Sequence, residues 1–225
     1  MPGRIKFTTL FIIFIAALII VYLIKIHAER MILSQIISRL TAESRIAQVI
    51  VTRVEKDPAT NKELTTIKFL EYDTDNSALK PRYFTFPGNI IHFQALVIRF
   101  DDKFVMKGNR LKGKSAYIFM KTFVINGKEA QVYEINKVDN IPSGYEIKGR
   151  ASNFQKKIWK EFWDYALDND KAKLLGIKNA QIEAPASKFV PGILYTVKIE
   201  HDGGIRIDTQ PLPKVLDGEI NTRNK

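Results

Sequence analysis

The segment from Ser115 to Ile135, SAYIFMKTFVINGKEAQVYEI, contains two strand-like runs joined by a short turn. The first run, Ser115 to Ile125, is rich in the aromatic and β-branched residues that favour strands. Asn126-Gly127 is a residue pair that favours the tight turn of a β-hairpin, because such turns need positive φ angles. The second run, Glu129 to Ile135, would then return beside the first. The segment therefore predicts an antiparallel β-hairpin.

Further strand-like runs lie on both sides of this hairpin. Alternating or β-rich composition predicts strands at residues 49–54, 64–72, 82–86, 90–100 and 104–106, and again at 193–200 and 205–209. Turn signals such as Asp57-Pro58, Pro87-Gly88 and Asp202-Gly203-Gly204 separate the runs. The pattern predicts a mainly β (α+β) domain over residues 47–210, built as an antiparallel meander that forms a sandwich or a partly open barrel.

One amphipathic helix interrupts the strands. Ser152 to Gln155 match the capping box that begins many helices, and Gly176 is a plausible stop, so we expect a helix over about 153–175. Its apolar stripe consists of Phe154, Ile158, Phe162 and Ala166, widened by Trp159 and Trp163. Two roles are open for Trp159 and Trp163: they anchor the helix on the sheet, or they contact a partner or the membrane surface.

The N-terminal region contains a long apolar run. Residues Phe7 to Ile24, FTTLFIIFIAALIIVYLI, include no charge, no Gly and no Pro. A helix of this length spans about 27 Å, close to the thickness of the bilayer hydrocarbon. The run is longer than that of a cleaved signal peptide, and the best cleavage position, Ile26-His27-Ala28, is a poor match. We therefore predict a transmembrane helix at 7–24 whose partner is the lipid bilayer.

The short basic tail at residues 1–6 bears on orientation. It contains Arg4 and Lys6, while Lys25 and Arg30 follow the apolar run, so the count of basic residues is nearly balanced. Long domains cross membranes largely regardless of charge, whereas a short basic tail crosses unfavourably. The sequence thus predicts a single-pass protein with its N-terminus inside and the bulk of the chain extracytoplasmic, in the periplasm or at the cell surface.

Residues 25–46 are expected to continue the membrane helix as a stalk. This segment has no Gly or Pro, and an apolar stripe runs along it through Leu33, Ile36, Ile37 and Leu40. The stripe either pairs with other copies of the chain, which makes these four residues candidates for self-association, or packs on the β domain of its own chain. The Pro-punctuated, polar end at 211–225 is predicted to be a flexible tail.

Composition narrows the possible chemistry. The chain has no cysteine, which excludes a disulfide scaffold, a thiolate metal site and a cysteine nucleophile. The net charge of +11 is compatible with anionic partners, although a solvated basic surface explains it better and nucleic acid is not the expected partner. Candidate partner or lipid contacts in the basic stretch after residue 103 are Lys107, Arg110, Lys112 and Lys114.

One segment matches a nucleotide-binding motif. Gly108 to Ser115, GNRLKGKS, fits the phosphate-loop pattern G-x-x-x-x-G-K-[ST] letter for letter. That loop must open a helix whose N-terminus faces the phosphate, but the residues after Ser115 are strand-like. We therefore interpret residues 108–115 as a basic hairpin loop and keep nucleotide binding as a remote alternative.

Metal and catalytic sites are not predicted. Asp73 to Ser77 resemble the start of a calcium loop but lack the glycine at its sixth position and the glutamate at its twelfth, so a turn is expected there. The histidines, His27, His92 and His201, are far apart in sequence and have no regularly spaced partner. No cofactor is predicted either.

These features together predict a non-enzymatic, membrane-anchored envelope protein. Its extracytoplasmic β domain would mediate self-assembly as a homo-oligomer, or interaction with other envelope proteins. A second hypothesis is a binding module for a lipid or other apolar ligand, because a β-sandwich or barrel with 14 Phe, 8 Tyr and 2 Trp could enclose such a molecule.

Overall fold

The alternating segments of the sequence form ten β-strands in a computed structural model of the protein, which describes residues 7–40, 45–100, 115–127, 129–147, 152–168, 170, 177–200 and 204–219. Within these residues the elements follow one another as α1 (Phe7–Arg39), β1 (Arg45–Lys56), β2 (Glu63–Glu71), β3 (Arg82–Pro87), β4 (Ile90–Phe100), β5 (Ser115–Asn126), β6 (Glu129–Glu134), α2 (Ser152–Leu167), β7 (Ile177–Glu183), β8 (Ala186–Lys188), β9 (Ile193–Ile199) and β10 (Ile205–Pro211). Two short 3-10 helices lie at Ser143–Tyr145 and Lys214–Glu219.

The strands form two antiparallel sheets. The first sheet has the order β10-β9-β1-β2-β3, and the second has the order β6-β5-β4-β7, with β8 also paired to β4. Neither sheet closes into a barrel among the described residues, so the predicted mainly β fold is confirmed, and the two sheets pack as a sandwich. The predicted meander order is found for β1-β2-β3 and for β4-β5-β6, but β9 pairs with β1, and β7 and β8 pair with β4.

Two strands were not predicted from the sequence. β7 and β8 lie in a polar stretch interrupted by Pro185, which shows little alternation. They form because β4 offers its free edge to them along most of its length. The strand expected at 104–106 lies outside the described residues.

The space between the sheets is filled by aromatic and aliphatic side chains. The Phe69 ring stacks on Phe93 and meets Phe119 edge-on, with ring centroids 5.6 Å apart in both pairs. At one side of the sandwich the Phe189 and Tyr195 rings lie 4.3 Å apart. Full burial of each such ring stabilises the fold by roughly 1.5–3 kcal/mol. The aromatic residues that suggested an apolar-ligand site in the sequence thus pack largely against one another.

Helix α2 forms a third layer on the outer face of the second sheet. Its indoles Trp159 and Trp163 are buried over side chains of β4 and β5. The Trp163 N–H donates a hydrogen bond of 2.8 Å to the carbonyl of Asn140. The suggestion that Trp159 and Trp163 contact a partner or the membrane surface is therefore corrected: both side chains belong to the core, because the apolar arc of α2 covers the sheet.

The start of α2 also differs from the sequence-based expectation. Gln155, assigned to a capping box, is buried and pairs its amide with both backbone groups of Ile147, at 3.0 Å to the N–H and 2.9 Å to the carbonyl. The side-chain amide thus bonds the backbone of Ile147 as a neighbouring strand would, and it holds Ile147 against the helix. Helix α2 ends at Leu167, and the predicted stop at Gly176 lies outside the described residues.

The N-terminal helix α1 is joined firmly to the β domain. It contains one stretch, Thr9–Ala28, that is long and apolar enough to span a membrane, with a mean hydropathy of 2.8 and no residue buried against the domain. At its other end, Arg39 donates to the carbonyl of Glu146 at 2.7 Å and pairs with Asp75 at 3.0 Å. The N–H of Ser115 donates to the carbonyl of Leu40 at 3.1 Å. We call this end of the domain, where β1 and β5 begin, the proximal end, and the opposite end the distal end.

The stalk residues are divided by this junction. The helix ends at Arg39, earlier than the predicted boundary at residue 46, and β1 begins at Arg45. Leu40 is only 4% exposed and packs in the cluster under α2. It is therefore corrected from a self-association candidate to a core residue, because the chain turns into the domain there. Leu33, Ile36 and Ile37 lie on α1, and their role in self-association stays a prediction.

Part of the predicted flexible tail is packed on the first sheet. The 3-10 helix Lys214–Glu219 follows β10, and Glu219 pairs with Lys68 of β2 at 2.6 Å. Leu216 lies over Ile50 and Leu194 on the outer face of the sheet. The N–H of Leu212 also donates to the carbonyl of Gly192 at 2.9 Å, so backbone and side-chain contacts together hold this part of the tail on the sheet.

Candidate interaction surface

The outer face of the second sheet is only partly covered by α2. The helix shields Leu96 and Ile98 of β4 and Ala116 and Ile118 of β5, at the proximal end. Beyond it, the sheet presents a second group of apolar side chains, which we call the distal face: Ile90, His92, Phe123, Ile125 and Val132. This surface is the strongest candidate for a functional site among the described residues.

The register of the strands brings these five residues together. His92 of β4 lies opposite Phe123 of β5, which in turn lies opposite Val132 of β6. Ile90 precedes His92 by two residues and Ile125 follows Phe123 by two, so both lie on the same side of the sheet as that pair. Ile90 is 57% exposed, Ile125 59% and Val132 45%. The result is a continuous apolar surface across three neighbouring strands.

Ring contacts hold the centre of the distal face in place. The imidazole of His92 stacks on Phe123 with ring centroids 4.7 Å apart and planes only 7° apart. Its Nδ1 lies 3.1 Å from the carbonyl of Ala184, so the ring is fixed from a second side. The ammonium of Lys121 lies 6.0 Å from the centre of the Phe123 ring. Because these side chains are already ordered, they would lose little conformational entropy when a partner binds.

A polar row separates the distal face from α2. Lys121 and Glu134 are cross-strand partners, with Gln94 on the other side of Lys121. Next to this row, the end of α2 leaves a groove of about 260 Å³ whose apolar walls include Met120, Val138 and Leu167. Val138 and Leu167 are 43% and 47% exposed. Apolar surface therefore continues past the charged pair toward the helix.

The arrangement suits binding to another molecule. The largest contiguous apolar patch exposed on a folded domain is often functional. Its central ring residues and charged rim match the usual anatomy of a protein interface. Among the described residues, no three His, Cys, Asp or Glu side chains are grouped so that they could hold a metal ion.

The distal face lies far from the attachment of α1. Phe123 is eight residues along β5 from Ser115, which corresponds to roughly 26 Å. Ser115 itself touches Leu40, the residue that follows α1. The distal face and the apolar stretch of α1 therefore lie at opposite ends of the domain.

Two carboxyl groups with shifted pKa values lie elsewhere. A hydrogen bond from the Thr60 hydroxyl, followed by one from the Ala59 N–H, lowers the pKa of Asp57. Hydrogen bonds from Lys198 and then Arg206 lower the pKa of Asp208. A carboxyl group whose pKa is lowered by folding stabilises the folded state at pH values above its ordinary pKa. This stabilisation is therefore present at neutral pH and is lost as the pH falls through the folded-state pKa.

Several residues singled out in the sequence are explained by local structure. The Asp73 carboxylate accepts hydrogen bonds from the N–H groups of Asp75 and Ser77, so the calcium-like segment is a turn. Ser115 opens a strand instead of the helix that a phosphate loop requires. The four basic candidates Lys107, Arg110, Lys112 and Lys114 lie outside the described residues, and so does His201.

Sequence reasoning did not identify the distal face, although a signal for it was present. In the run from Lys121 to Asn126, apolar residues occupy consecutive positions, with Phe123, Val124 and Ile125 in a row. A strand with one buried face alternates apolar and polar residues, so consecutive apolar residues indicate a strand that is apolar on both faces. Val124 points into the core, and its two neighbours form the outer surface.

Comparison with protein-family models, curated proteins and solved structures finds no match to this chain. Functional inference therefore rests on its own residues.

Proposed function

We propose that the protein is a single-pass, membrane-anchored, non-enzymatic protein that self-associates through its distal face. Its β domain stands outside the cytoplasm, in the periplasm or at the cell surface. The observation that carries this proposal is the exposed apolar distal face, located at the end of the domain opposite to α1.

The junction with α1 supports a role close to the membrane. Eleven residues, Glu29 to Arg39, continue the helix beyond the apolar stretch and extend it by roughly 17 Å. The Arg39 hydrogen bonds and the buried Leu40 then connect the helix to the domain without a long linker. Copies anchored in one bilayer would carry their distal faces at the same height, with the same orientation.

A second copy of the chain is the partner that the charges favour. In a two-fold dimer each surface meets an identical one, so a charged surface is self-complementary only if it carries groups of both signs. The polar row that borders the distal face meets this condition, because Lys121 lies beside Glu134. A two-fold axis that lies in the interface plane, parallel to the strands and between β5 and β6, places Lys121 of one copy near Glu134 of the other.

The size of the distal face predicts a weak dimer that depends on the membrane. Stable complexes bury about 800 Å² on each partner, whereas five partly exposed side chains offer less than that. Confinement of both copies to one bilayer raises their effective concentration and compensates for a small interface. Binding of an apolar ligand between the sheets has less support, because the core aromatics pack against one another.

Cysteine cross-linking in membranes tests the dimer. The natural chain has no cysteine, so each single-cysteine variant reports on one position only. Under mild oxidation we expect Ile125→Cys and Val132→Cys to form disulfide-linked dimers. Val215→Cys is the matched control, since Val215 is 88% exposed but belongs to the segment on the first sheet. Dimers should disappear when Ile125→Glu is added to Val132→Cys.

Equal cross-linking at Val132→Cys and Val215→Cys would contradict the distal face as a specific interface. Cross-linking of Val132→Cys to a different protein, with none to itself, would replace the homodimer with a heterologous complex.

The proposed orientation has a separate test in intact cells. Val215→Cys is expected to react with a membrane-impermeant maleimide, because it lies in the β domain. Gly3→Cys, on the other side of the apolar helix, should react only after the cells are permeabilised. The opposite pattern would place the β domain in the cytoplasm and leave the dimer interface untouched.

A further inference from the structure

A β-bulge reshapes the outer face of the first sheet at its distal end. Val51 pairs with Ile67, but the next pair is Arg53 with Thr66, so Thr52 is an extra residue in β1. In a regular strand Arg53 would point to the same side as the fully buried Val51. The bulge instead turns Arg53 and Glu55 to the outer face, where they are half-exposed. Bulges often redirect side chains in this way next to binding sites.

Hydroxyl groups from three strands form the floor beside this bulge. The hydroxyls of Thr66 on β2 and Thr85 on β3 lie 2.9 Å apart, and the Thr52 hydroxyl donates to the carbonyl of Thr66 at 3.2 Å. A threonine hydroxyl can donate one hydrogen bond and accept two, so these groups retain capacity for further bonds. Tyr83, two residues before Thr85 on β3, adds a ring that is 57% exposed.

These groups surround an open cavity of about 470 Å³. The last residues of the 3-10 helix Lys214–Glu219 form its far wall. The volume lies within the roughly 300–1,000 Å³ of small-molecule sites and has room for about two or three sugar rings. The cavity is separate from the distal face, because it lies on the other sheet.

The charges of the cavity are balanced. Arg53 lies 3.5 Å from Glu55, and Glu219 is paired with Lys68. A phosphate ligand would require excess positive charge, and a metal ion would require a group of carboxylates or histidines that the described residues lack. A guanidinium beside a carboxylate offers donors and acceptors side by side, which matches neighbouring hydroxyls of a neutral ligand.

We infer that this cavity binds a neutral polyhydroxylated ligand, namely a short glycan. The threonine hydroxyls and the Arg53–Glu55 pair hydrogen-bond the sugar hydroxyls, while the apolar face of one sugar ring packs on Tyr83. The inference is independent of the proposed dimer, since it uses none of the residues of the distal face.

Titration of the full chain with soluble tetrasaccharides tests this inference. The protein is kept in an amine-oxide detergent, because a detergent with a sugar head group would compete. The probes are tetrasaccharides of β-1,4-linked N-acetylglucosamine, β-1,4-linked glucose and α-1,4-linked glucose, followed by saturation-transfer NMR. We expect at least one to bind with a Kd between about 10 μM and 1 mM. Tyr83→Ala and Arg53→Gln should each weaken binding about tenfold or more.

Matched controls separate the cavity from the rest of the sheet. Arg206→Gln repeats the Arg53→Gln change on the same sheet, and Thr196→Val alters another polar side chain there. Both positions lie outside the cavity lining, so both variants should leave the Kd unchanged. Circular dichroism checks that each variant is folded. The inference is overturned if no tetrasaccharide gives a saturable signal up to about 10 mM. It is also overturned if the two cavity variants bind as the natural chain does, or if inorganic phosphate binds more tightly than every sugar.

Discussion

Replacement of Trp163 by alanine is expected to lower the free energy of unfolding of the β domain by about 3–5 kcal/mol. The Trp163 side chain is fully buried between α2 and the second sheet. Its truncation would leave a large cavity and would also leave the Asn140 carbonyl without the indole N–H that now lies 2.8 Å away. Few single changes in this chain combine both losses.

Urea unfolding of the full chain in micelles measures this effect, followed by near-ultraviolet circular dichroism so that the helix α1 does not dominate the signal. Trp163→Phe keeps an aromatic ring but loses the hydrogen bond, so it should cost less than Trp163→Ala. Lys160→Ala on the exposed side of α2 is the control and should change stability by less than about 0.5 kcal/mol. A loss below about 1 kcal/mol for Trp163→Ala would show that α2 is not packed on the sheet, and would return its tryptophans to the partner-binding role.

The second large effect is expected from Arg82, which connects the two sheets near the proximal end. Its guanidinium donates to the carbonyl of Ile135 and, at 3.2 Å, to the hydroxyl of Ser143. That hydroxyl lies 3.1 Å from the carboxylate of Glu71, which is only 4% exposed. Asn136 completes the group, since it accepts from the Ser143 N–H and donates to the carbonyl of Phe119.

Removal of the cation from this network should be costly. Arg82→Met would leave the Ile135 carbonyl and the Ser143 hydroxyl without their guanidinium donor, and the expected loss of stability is about 2–4 kcal/mol. Glu71→Gln removes the charge but keeps the shape, so its expected cost is smaller, about 1–2 kcal/mol. Because the two residues share Ser143, the double variant should cost less than the sum of the single variants.

A double-mutant cycle from urea unfolding curves measures this coupling. Arg206→Met, on the exposed edge strand β10, is the matched control and should have little effect. Strict additivity of Arg82→Met and Glu71→Gln would mean that the two charged groups act independently, and the network would then not link the sheets.

The hairpin that was apparent in the sequence shows how far local patterns reach. The two strands and their antiparallel pairing were predicted, because alternation and β-rich composition act within each segment. The turn is shifted by one residue, since Asn126 still pairs with Glu129 and Gly127, at a φ of +64°, is the first residue of the turn. A shift of one position decides which side chains face the core, and local composition does not resolve it.

The predictions for the stalk and for the tail differ from the structure for another reason. Residues 41–46 and 211–219 carry no strong local signal against helix or disorder, respectively. Their positions depend on distant partners: Leu40 is buried beneath α2, and Glu219 pairs with Lys68, which is 151 residues away. Contacts over such separations are invisible to a pattern read along the chain.

The amino-acid sequence alone determined the apolar N-terminal helix, the mainly β domain, the amphipathic α2 and the absence of cysteine chemistry. Each of these follows from composition or from a period of two or 3.6 residues, which are properties of neighbouring residues. Only the tertiary structure decided that β9 lies beside β1, that α2 covers half of a sheet and leaves the distal face exposed, and that a bulge opens a polar cavity on the other sheet. Those features arise from register and from the order in which strands assemble, because these alone determine which surfaces of the strands meet and which are left for a partner.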